Sequence, residues 1–132
     1  MQIPIGTFVS IAEKYNKIID FDKAVVNQVI NHIKYSKITH DISINLSLDS
    51  ISNTLFIDWI TRTLEQNTSI SSQLIFSITA YGVAKDIDLF KQFSHKINTA
   101  GGKIIVKRFE SKFIPLDRIK DLKINYIRLA RD

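Results

Sequence analysis

The sequence has no cysteine, and it has only four glycines and two prolines among its 132 residues. Disulfide scaffolds, thiolate zinc sites, cysteine nucleophiles and thiol redox switches are therefore excluded, and a reducing compartment suits the chain. The low glycine and proline content also excludes collagen-like and low-complexity chains. No apolar run approaches the roughly 20 residues of a membrane-spanning helix, and the first residues lack the parts of a signal peptide. We therefore expect a soluble domain.

What the sequence contains is typical of one globular domain. Apolar residues make up 45% and charged residues 23%, which is enough for a single hydrophobic core. Eighteen lysines and arginines against thirteen aspartates and glutamates give a net charge of +5. This charge permits an anionic partner, but it is common in lysine-rich proteins and does not by itself favour nucleic-acid binding.

Helical and strand patterns alternate along the chain. Residues 42–47 alternate apolar and polar side chains, which is the period of a strand, whereas Phe56, Ile60 and Leu64 recur every four residues, as in a helix. The predicted elements are helices over 8–20 and 21–35, a strand over 42–47, a helix over 55–64, a strand over 72–81, a helix over 86–98, a strand over 103–109, a helical turn over 116–122 and a strand over 125–130. Helices between successive strands are the crossovers that parallel strands need, so the sequence predicts a parallel α/β sheet.

The first part of the chain predicts two separate helices. Pro4 and Gly6 are expected in a loop before the first helix. A stripe that starts at Phe21 and continues through Val25 and Val29 predicts the buried face of the second helix.

Several common nucleotide-binding and catalytic motifs are missing. Gly101-Gly102 is an isolated pair that ends a predicted helix, and neither a G-x-G-x-x-G motif nor a P-loop occurs. His32, His40 and His95 lie far apart, and none belongs to an H-E-x-x-H pair, so surface histidines are favoured over a zinc site. A G-x-S-x-G nucleophile elbow is also absent, although a Ser-His-Asp triad stays open.

The residues at the carboxyl ends of the predicted strands matter most, because ligands bind there in parallel α/β folds. They carry an amide, hydroxyl groups and three cations, but no carboxylate. They are Asn45, Ser47, Ser77, Thr79, Ala80, Lys107, Arg108 and Arg128. A divalent metal that hydrolyses a phosphoester needs converging carboxylates, whereas guanidinium and ammonium groups attract phosphate. The alternative is that Lys107 and Arg108 are solvated charges without a ligand.

Five segments follow one another at the spacing of a known family. Residues 3–13 (IPIGTFVSIAE) are similar to P-x-x-F-I-x-x-A-E, residues 44–47 (INLS) to V-N-L-S, and residues 76–80 (FSITA) to E-I-T-E. Residues 107–111 (KRFES) stand for D-D-F-G-T, and residues 122–129 (LKINYIRL) align without gaps with L-P-V-D-x-L-K-I. Over its whole length the chain therefore resembles the EAL domain, the fold of bacterial cyclic di-GMP phosphodiesterases.

The resemblance implies that most acidic residues of the family's active site are absent. Asn45 stands at the position of a metal-binding Asn, the only such ligand kept. Ser77 replaces a metal-binding Glu, and Ala80 replaces a Glu that supports the neighbouring active-site loop. The Glu of the E-A-L motif would lie before Met1, and a further metal-binding Glu would lie beyond Asp132.

Three cations take the places of other active-site residues. Lys107 and Arg108 replace the two Asp that bind metal and help to position water, and Arg128 replaces the catalytic Lys. Exchanging two anions for two cations changes the local charge by four units. We therefore expect no metal cofactor, whereas active members of the family use Mg²⁺ or Mn²⁺. The resemblance thus implies that no catalytic set is intact.

The resemblance also implies a TIM-like (β/α)₈ barrel of about 250 residues, of which residues 1–132 would be a partial domain. The first barrel strand and the C-terminal β/α units would be missing, which agrees with a chain that starts with two helices and ends on a strand before Arg131-Asp132. We therefore expect a fragment of a longer protein, or a chain that completes its sheet with another copy. The parent is expected to be a bacterial regulator in the cytoplasm or anchored in the inner membrane, often with a GGDEF domain.

The expected function is that of a catalytically inactive EAL-like signalling domain, acting as a cyclic di-GMP receptor or as a protein-interaction module. In the receptor hypothesis Asn45, Lys107, Arg108 and Arg128 bind the ligand, with the cations opposite its phosphates. One alternative is an active cyclic di-GMP phosphodiesterase domain of a larger GGDEF/EAL protein. Another is a basic α/β module that binds nucleic acid or acidic surfaces. The expected partners are cyclic di-GMP, a partner protein or other domains of the parent, and a second copy, with nucleic acid disfavoured.

Overall fold

The computed structural model of the chain describes residues 5–110 and 112–130. Residues 3 and 4 of the first matched segment, Ser111 and the terminal Arg131-Asp132 lie outside this description. The elements are, in chain order, α1 (Ile5–Ser36), β1 (Ile42–Asn45), α2 (Leu48–Ile51), α3 (Thr54–Glu65), β2 (Leu74–Thr79), α4 (Ala80–Lys85), α5 (Ile87–Thr99), β3 (Lys103–Phe109) and β4 (Tyr126–Leu129). Short 3-10 helices lie at Ser71–Gln73 and Leu116–Leu122.

The four described strands are parallel and are ordered β1-β2-β3-β4. Each strand is connected to the next through helical segments, as parallel strands require. The predicted parallel α/β sheet is therefore confirmed. The third strand and the helical turn at Leu116–Leu122 also have the predicted bounds.

One continuous helix replaces the two helices predicted at the start of the chain. α1 runs for 32 residues without a break near Phe21, and Gly6, predicted as a loop residue, is helical. No proline or glycine lies between Gly6 and Ser36, so nothing interrupts the backbone hydrogen bonds of the helix. The buried residues of α1 include Ile19, Val26, Ile30 and Ile33. Phe21 is 67% exposed, so the prediction that it starts the buried face is wrong.

The first two strands end earlier than predicted because polar residues at their ends cap helices. Ser47 is the N-cap of α2, and its Oγ accepts a hydrogen bond from a backbone N–H of that helix at 3.1 Å. Thr79 ends β2 and caps α4, where its Oγ1 accepts a hydrogen bond from the Gly82 N–H at 3.1 Å. A capping oxygen satisfies an N–H that has no partner within the helix. Ala80 and Tyr81, predicted in the second strand, therefore lie in the first turn of α4.

The core lies where α3 and α5 pack with the sheet, and it fixes the strands whose ends carry the candidate site. The predicted stripe Phe56, Ile60 and Leu64 of α3 is fully buried, which confirms that face of the helix. The largest fully buried side chains include Phe56, Phe76, Phe90 and Phe93. Within the described ranges, no helix has the length and hydropathy of a membrane span.

Asp22 ties α1 to the loop that follows β1. Its carboxylate is buried, and Oδ2 accepts hydrogen bonds from the Ser47 N–H at 2.9 Å and from the Ser47 Oγ at 2.7 Å. A third hydrogen bond, from Ser50 Oγ, is also 2.7 Å long. A buried carboxylate is stable only when such donors replace its hydration. These bonds hold the segment directly after Asn45 against the long helix.

Replacement of Asp22 by alanine is expected to lower the free energy of unfolding by about 2–4 kcal/mol, because three donors lose a charged acceptor. Asp20→Ala changes an exposed carboxylate of the same helix and is the control. It is expected to change the free energy of unfolding by less than about 0.5 kcal/mol. Urea unfolding followed by circular dichroism measures both variants. Equal effects of the two substitutions would contradict the role given to Asp22.

Candidate functional site

Asn45 and Lys107 meet at the carboxyl ends of β1 and β3. The parallel register places Asn45 beside Ser77 and places Thr79 beside Lys107. Lys107 Nζ donates a hydrogen bond of 2.9 Å to Asn45 Oδ1, and the lysine side chain crosses the intervening β2 to do so. The structure therefore joins two of the predicted site residues directly.

A β-bulge brings Lys107 and Arg108 opposite Arg128. In the β3–β4 pairing, Val106 is the partner of Ile127, whereas Phe109 is the partner of Leu129. Two residues of β3 therefore face one residue of β4 between these pairs, which is the pattern of a bulge.

The extra residue of this bulge changes the backbone of β3. Arg108 has a φ of +56°, in the left-handed region that favours glycine and that arginine rarely adopts. Bulges redirect side chains and are frequent next to functional sites. The strained backbone at Arg108 thus belongs to the arrangement that gathers three cations at one point.

The three cations influence one another. Burial lowers the pKa of the Lys107 ammonium from its usual value of 10.5, and the charges of Arg108 and Arg128 lower the pKa further. The cause is physical: a second positive charge nearby, like the loss of water, disfavours the protonated form. An anion placed among the three groups would have the opposite effect.

An open cleft of about 950 Å³ lies at this edge of the sheet. Lys107, Arg108 and Arg128 line it, and Thr79 at the end of β2 lines it as well. Its volume falls within the roughly 300–1,000 Å³ range of small-molecule sites. Positive groups that line a cleft can bind the phosphates of an anionic ligand through charge-assisted hydrogen bonds.

An aromatic pair lines another part of the cleft, and the sequence analysis did not find it. The ring centroids of Tyr81 and Phe113 lie 6.1 Å apart with their planes at 83°, an edge-to-face contact. Lys85 Nζ lies 4.9 Å from the centre of the Tyr81 ring, and Lys112 Nζ lies 5.1 Å from that of Phe113. Lys112 also forms an ion pair of 3.0 Å with Glu110. Their positions in the sequence could have identified these two aromatic residues, because the segments directly after strand ends form ligand sites in such folds.

The other predicted strand-end residues do not line the cleft, and these include the ligand-binding candidate Asn45. Ser77 and Ala80 are 4% and 0% exposed. Ser47 is bonded to Asp22, as described above. Across residues 5–110 and 112–130, no group of three or more His, Cys, Asp or Glu residues is placed to hold a metal ion.

The family model of the EAL domain matches residues 2–132 of the chain. A search of curated proteins gives no match. Among solved structures, the apo S helix-GGDEF-EAL segment of Vibrio cholerae LapD is 28% identical and superposes with a TM-score of 0.79, over 89% of this chain and 29% of that one. The same LapD segment bound to cyclic di-GMP is 26% identical, with a TM-score of 0.80, over 98% of this chain and 32% of that one.

A third structure is similar in fold. The FimX EAL domain of Pseudomonas aeruginosa, bound to cyclic di-GMP, is 17% identical and superposes with a TM-score of 0.77, over 98% of this chain and 53% of that one. The chain thus spans about a third of the LapD segment and about half of the FimX chain. The predicted EAL type of α/β fold is confirmed.

Substitutions at Arg108 are expected to report its positive φ. Arg108→Val should lower the free energy of unfolding by about 1–3 kcal/mol relative to Arg108→Gly, because a β-branched residue fits the left-handed region poorly. The matched control is Arg128, which lies in the extended β4. There valine should be at least as stable as glycine, by up to about 1 kcal/mol. Urea unfolding of the four variants measures both differences. Glycine and valine of equal stability at position 108 would contradict this backbone conformation.

Proposed function

The chain belongs to the EAL domain family, and we propose that it is a catalytically inactive member that binds cyclic di-GMP through cationic side chains without metal ions. The ligand class is supported by the LapD and FimX structures, both of which contain cyclic di-GMP. Because the chain spans only part of either relative, its own residues have to carry the proposal. In this role it senses the dinucleotide for a longer bacterial regulator on the cytoplasmic side.

The observation that carries the proposal is the convergence of Lys107, Arg108 and Arg128 on one cleft. A cyclic dinucleotide presents two phosphodiesters, each with one negative charge, and guanidinium groups bind phosphate oxygens through paired hydrogen bonds. Burial lowers the pKa of Lys107 and the charges of Arg108 and Arg128 lower it further, and the same anions relieve this repulsion. Binding therefore gains from both new hydrogen bonds and the neutralised charge.

The donor groups at this edge do not fit a divalent metal. Magnesium prefers oxygen ligands, several of them carboxylates in catalytic sites, and it needs a negative or neutral surrounding. The Asn45 oxygen already accepts a hydrogen bond from the Lys107 ammonium, and Arg108 adds a second cation beside it. The Glu110 carboxylate lines the cleft but forms an ion pair of 3.0 Å with Lys112, so this set of residues favours binding over hydrolysis.

The chain is expected to bind cyclic di-GMP equally well in Mg²⁺ and in EDTA, and to leave it uncleaved. Arg128→Ala should weaken binding by about 10- to 100-fold, because a hydrogen bond to a charged group contributes about 1.5–3 kcal/mol. Arg62→Ala removes an exposed arginine of α3 and should leave the affinity unchanged. Calorimetric titration measures affinity, and chromatography of the recovered ligand detects cleavage.

Four results would contradict the proposal: no binding, binding that needs Mg²⁺, release of a cleaved dinucleotide, or an unchanged affinity in Arg128→Ala. Random single-stranded DNA is the second probe. Binding of DNA as tight as that of cyclic di-GMP, with a steep dependence on salt, would instead support the basic-module hypothesis.

The affinity for cyclic di-GMP is expected to fall as the pH rises through the lowered pKa of Lys107. A bound phosphate favours the protonated ammonium, so binding takes up protons where free Lys107 is partly neutral, between its lowered pKa and 10.5. Lys107→Arg should remove this proton uptake, because arginine stays charged. The variant is also the control for any titration of the ligand itself. Calorimetry in buffers of different ionisation enthalpy measures proton uptake. The same pH profile for both proteins would contradict the role of Lys107.

A further inference from the structure

Tyr81 is an aromatic side chain that is 58% exposed and lines the same cleft as the three cations. We propose that its ring is a stacking platform for a guanine base, with Lys85 at the edge of that base. The inference rests on the proposed function, because it assigns the base of the ligand whose phosphates that function places on Lys107, Arg108 and Arg128.

The position of Tyr81 fits this assignment. Thr79, the last residue of β2, is the register partner of Lys107, the β3 residue at which the bulge begins. Tyr81 lies only two residues after Thr79 and is therefore near the proposed phosphate site. A nucleotide joins a phosphate and a base through one sugar. A ring that follows the neighbouring strand end is therefore well placed for the base when the phosphate lies on the cations.

The ring is also held in place before any ligand arrives. Phe113 meets Tyr81 edge to face at 6.1 Å and packs against the hydrophobic core. α4 lies close to α2, because a Cβ at Gly82 would come within 3.0 Å of the Leu48 side chain. A platform that is ordered in advance costs little conformational entropy on binding. Stacking on it strengthens binding by about 5- to 150-fold per base, whichever base is bound.

Lys85 gives the platform a preference among bases. Its ammonium lies 4.9 Å from the centre of the Tyr81 ring, on a flexible side chain that a stacked base would move to its own edge. Guanine presents two acceptors there, N7 and O6, whereas adenine presents N7 beside an amino group that repels the ammonium. Glu110, the acidic group that lines the cleft among the described residues, is paired with Lys112 at 3.0 Å. The local charge therefore favours guanine over adenine.

Tyr81 could instead only shield Phe113 from water, and the choice of variants separates the two roles. Tyr81→Leu keeps an apolar cover on Phe113 but removes the aromatic face, whereas Tyr81→Phe keeps the face. Tyr35→Leu is the matched control, because Tyr35 is 85% exposed at the end of α1 and does not line the cleft. Circular dichroism establishes that each variant is folded.

Four ligands separate stacking from phosphate binding: cyclic di-GMP, GMP, AMP and ribose 5-phosphate, which lacks the base. Affinities come from calorimetry for the dinucleotide and from NMR titration for the monophosphates. For the wild-type chain we expect GMP to bind better than AMP, and AMP better than ribose 5-phosphate. Tyr81→Leu should weaken cyclic di-GMP and GMP by about tenfold without changing ribose 5-phosphate. Tyr81→Phe and Tyr35→Leu should match the wild type, and Lys85→Met should remove the preference for GMP over AMP.

The outcomes distinguish a failed inference from a failed function. If cyclic di-GMP binds the wild type and Tyr81→Leu with equal affinity, the inference is overturned and the proposed function stands. If GMP binding depends on Tyr81 while Arg128→Ala leaves the affinity for cyclic di-GMP unchanged, the inference stands and the proposed function fails. If GMP binds no better than ribose 5-phosphate, or does not bind at all, the inference is overturned.

Discussion

An extra residue in β3 decides how three positive charges are placed at the carboxyl edge of the sheet. If β3 and β4 paired without a bulge, Lys107 and Arg108 would point to opposite faces of the sheet, as successive residues of a strand do. With two residues of β3 opposite Arg128, three cations line one cleft instead. The positive φ of Arg108 and the cationic character of the cleft belong to that irregularity. Burial lowers the pKa of Lys107, and the charges of Arg108 and Arg128 lower it further.

The hydrogen bond between Lys107 and Asn45 gives this edge of the sheet a different chemistry from that of a metal centre. In a metal site, neutral and anionic oxygens converge on a cation that dissociates when the ligands are protonated or chelated away. Here the cation is part of the chain, and it reaches the amide oxygen from a strand two places away. In the proposed function, a site of this kind selects ligands by their phosphates and does not depend on the metal content of its surroundings.

The sequence was sufficient to predict the parallel sheet, because the alternating strand of residues 42–47 and the four-residue spacing of Phe56, Ile60 and Leu64 are strong periodic signals. It also placed Lys107, Arg108 and Arg128 at the carboxyl ends of their strands, because strand ends can be predicted to within a few residues. The bulge could not be predicted, since it depends on the register of β3 with a strand that is distant in the chain.

Tyr81 was missed for a related local reason. Thr79 can continue a strand or cap a helix, and only the packed structure decides between them. Once Thr79 caps α4, the strand ends there and Tyr81 belongs to the cleft.

Asp22, whose carboxylate accepts three hydrogen bonds, couples α1 to the loop beside the candidate site. It fastens a helix about 48 Å long to the backbone two residues after Asn45. Together with the buried apolar residues of α1, this carboxylate couples any displacement of the helix to the segment that follows Asn45.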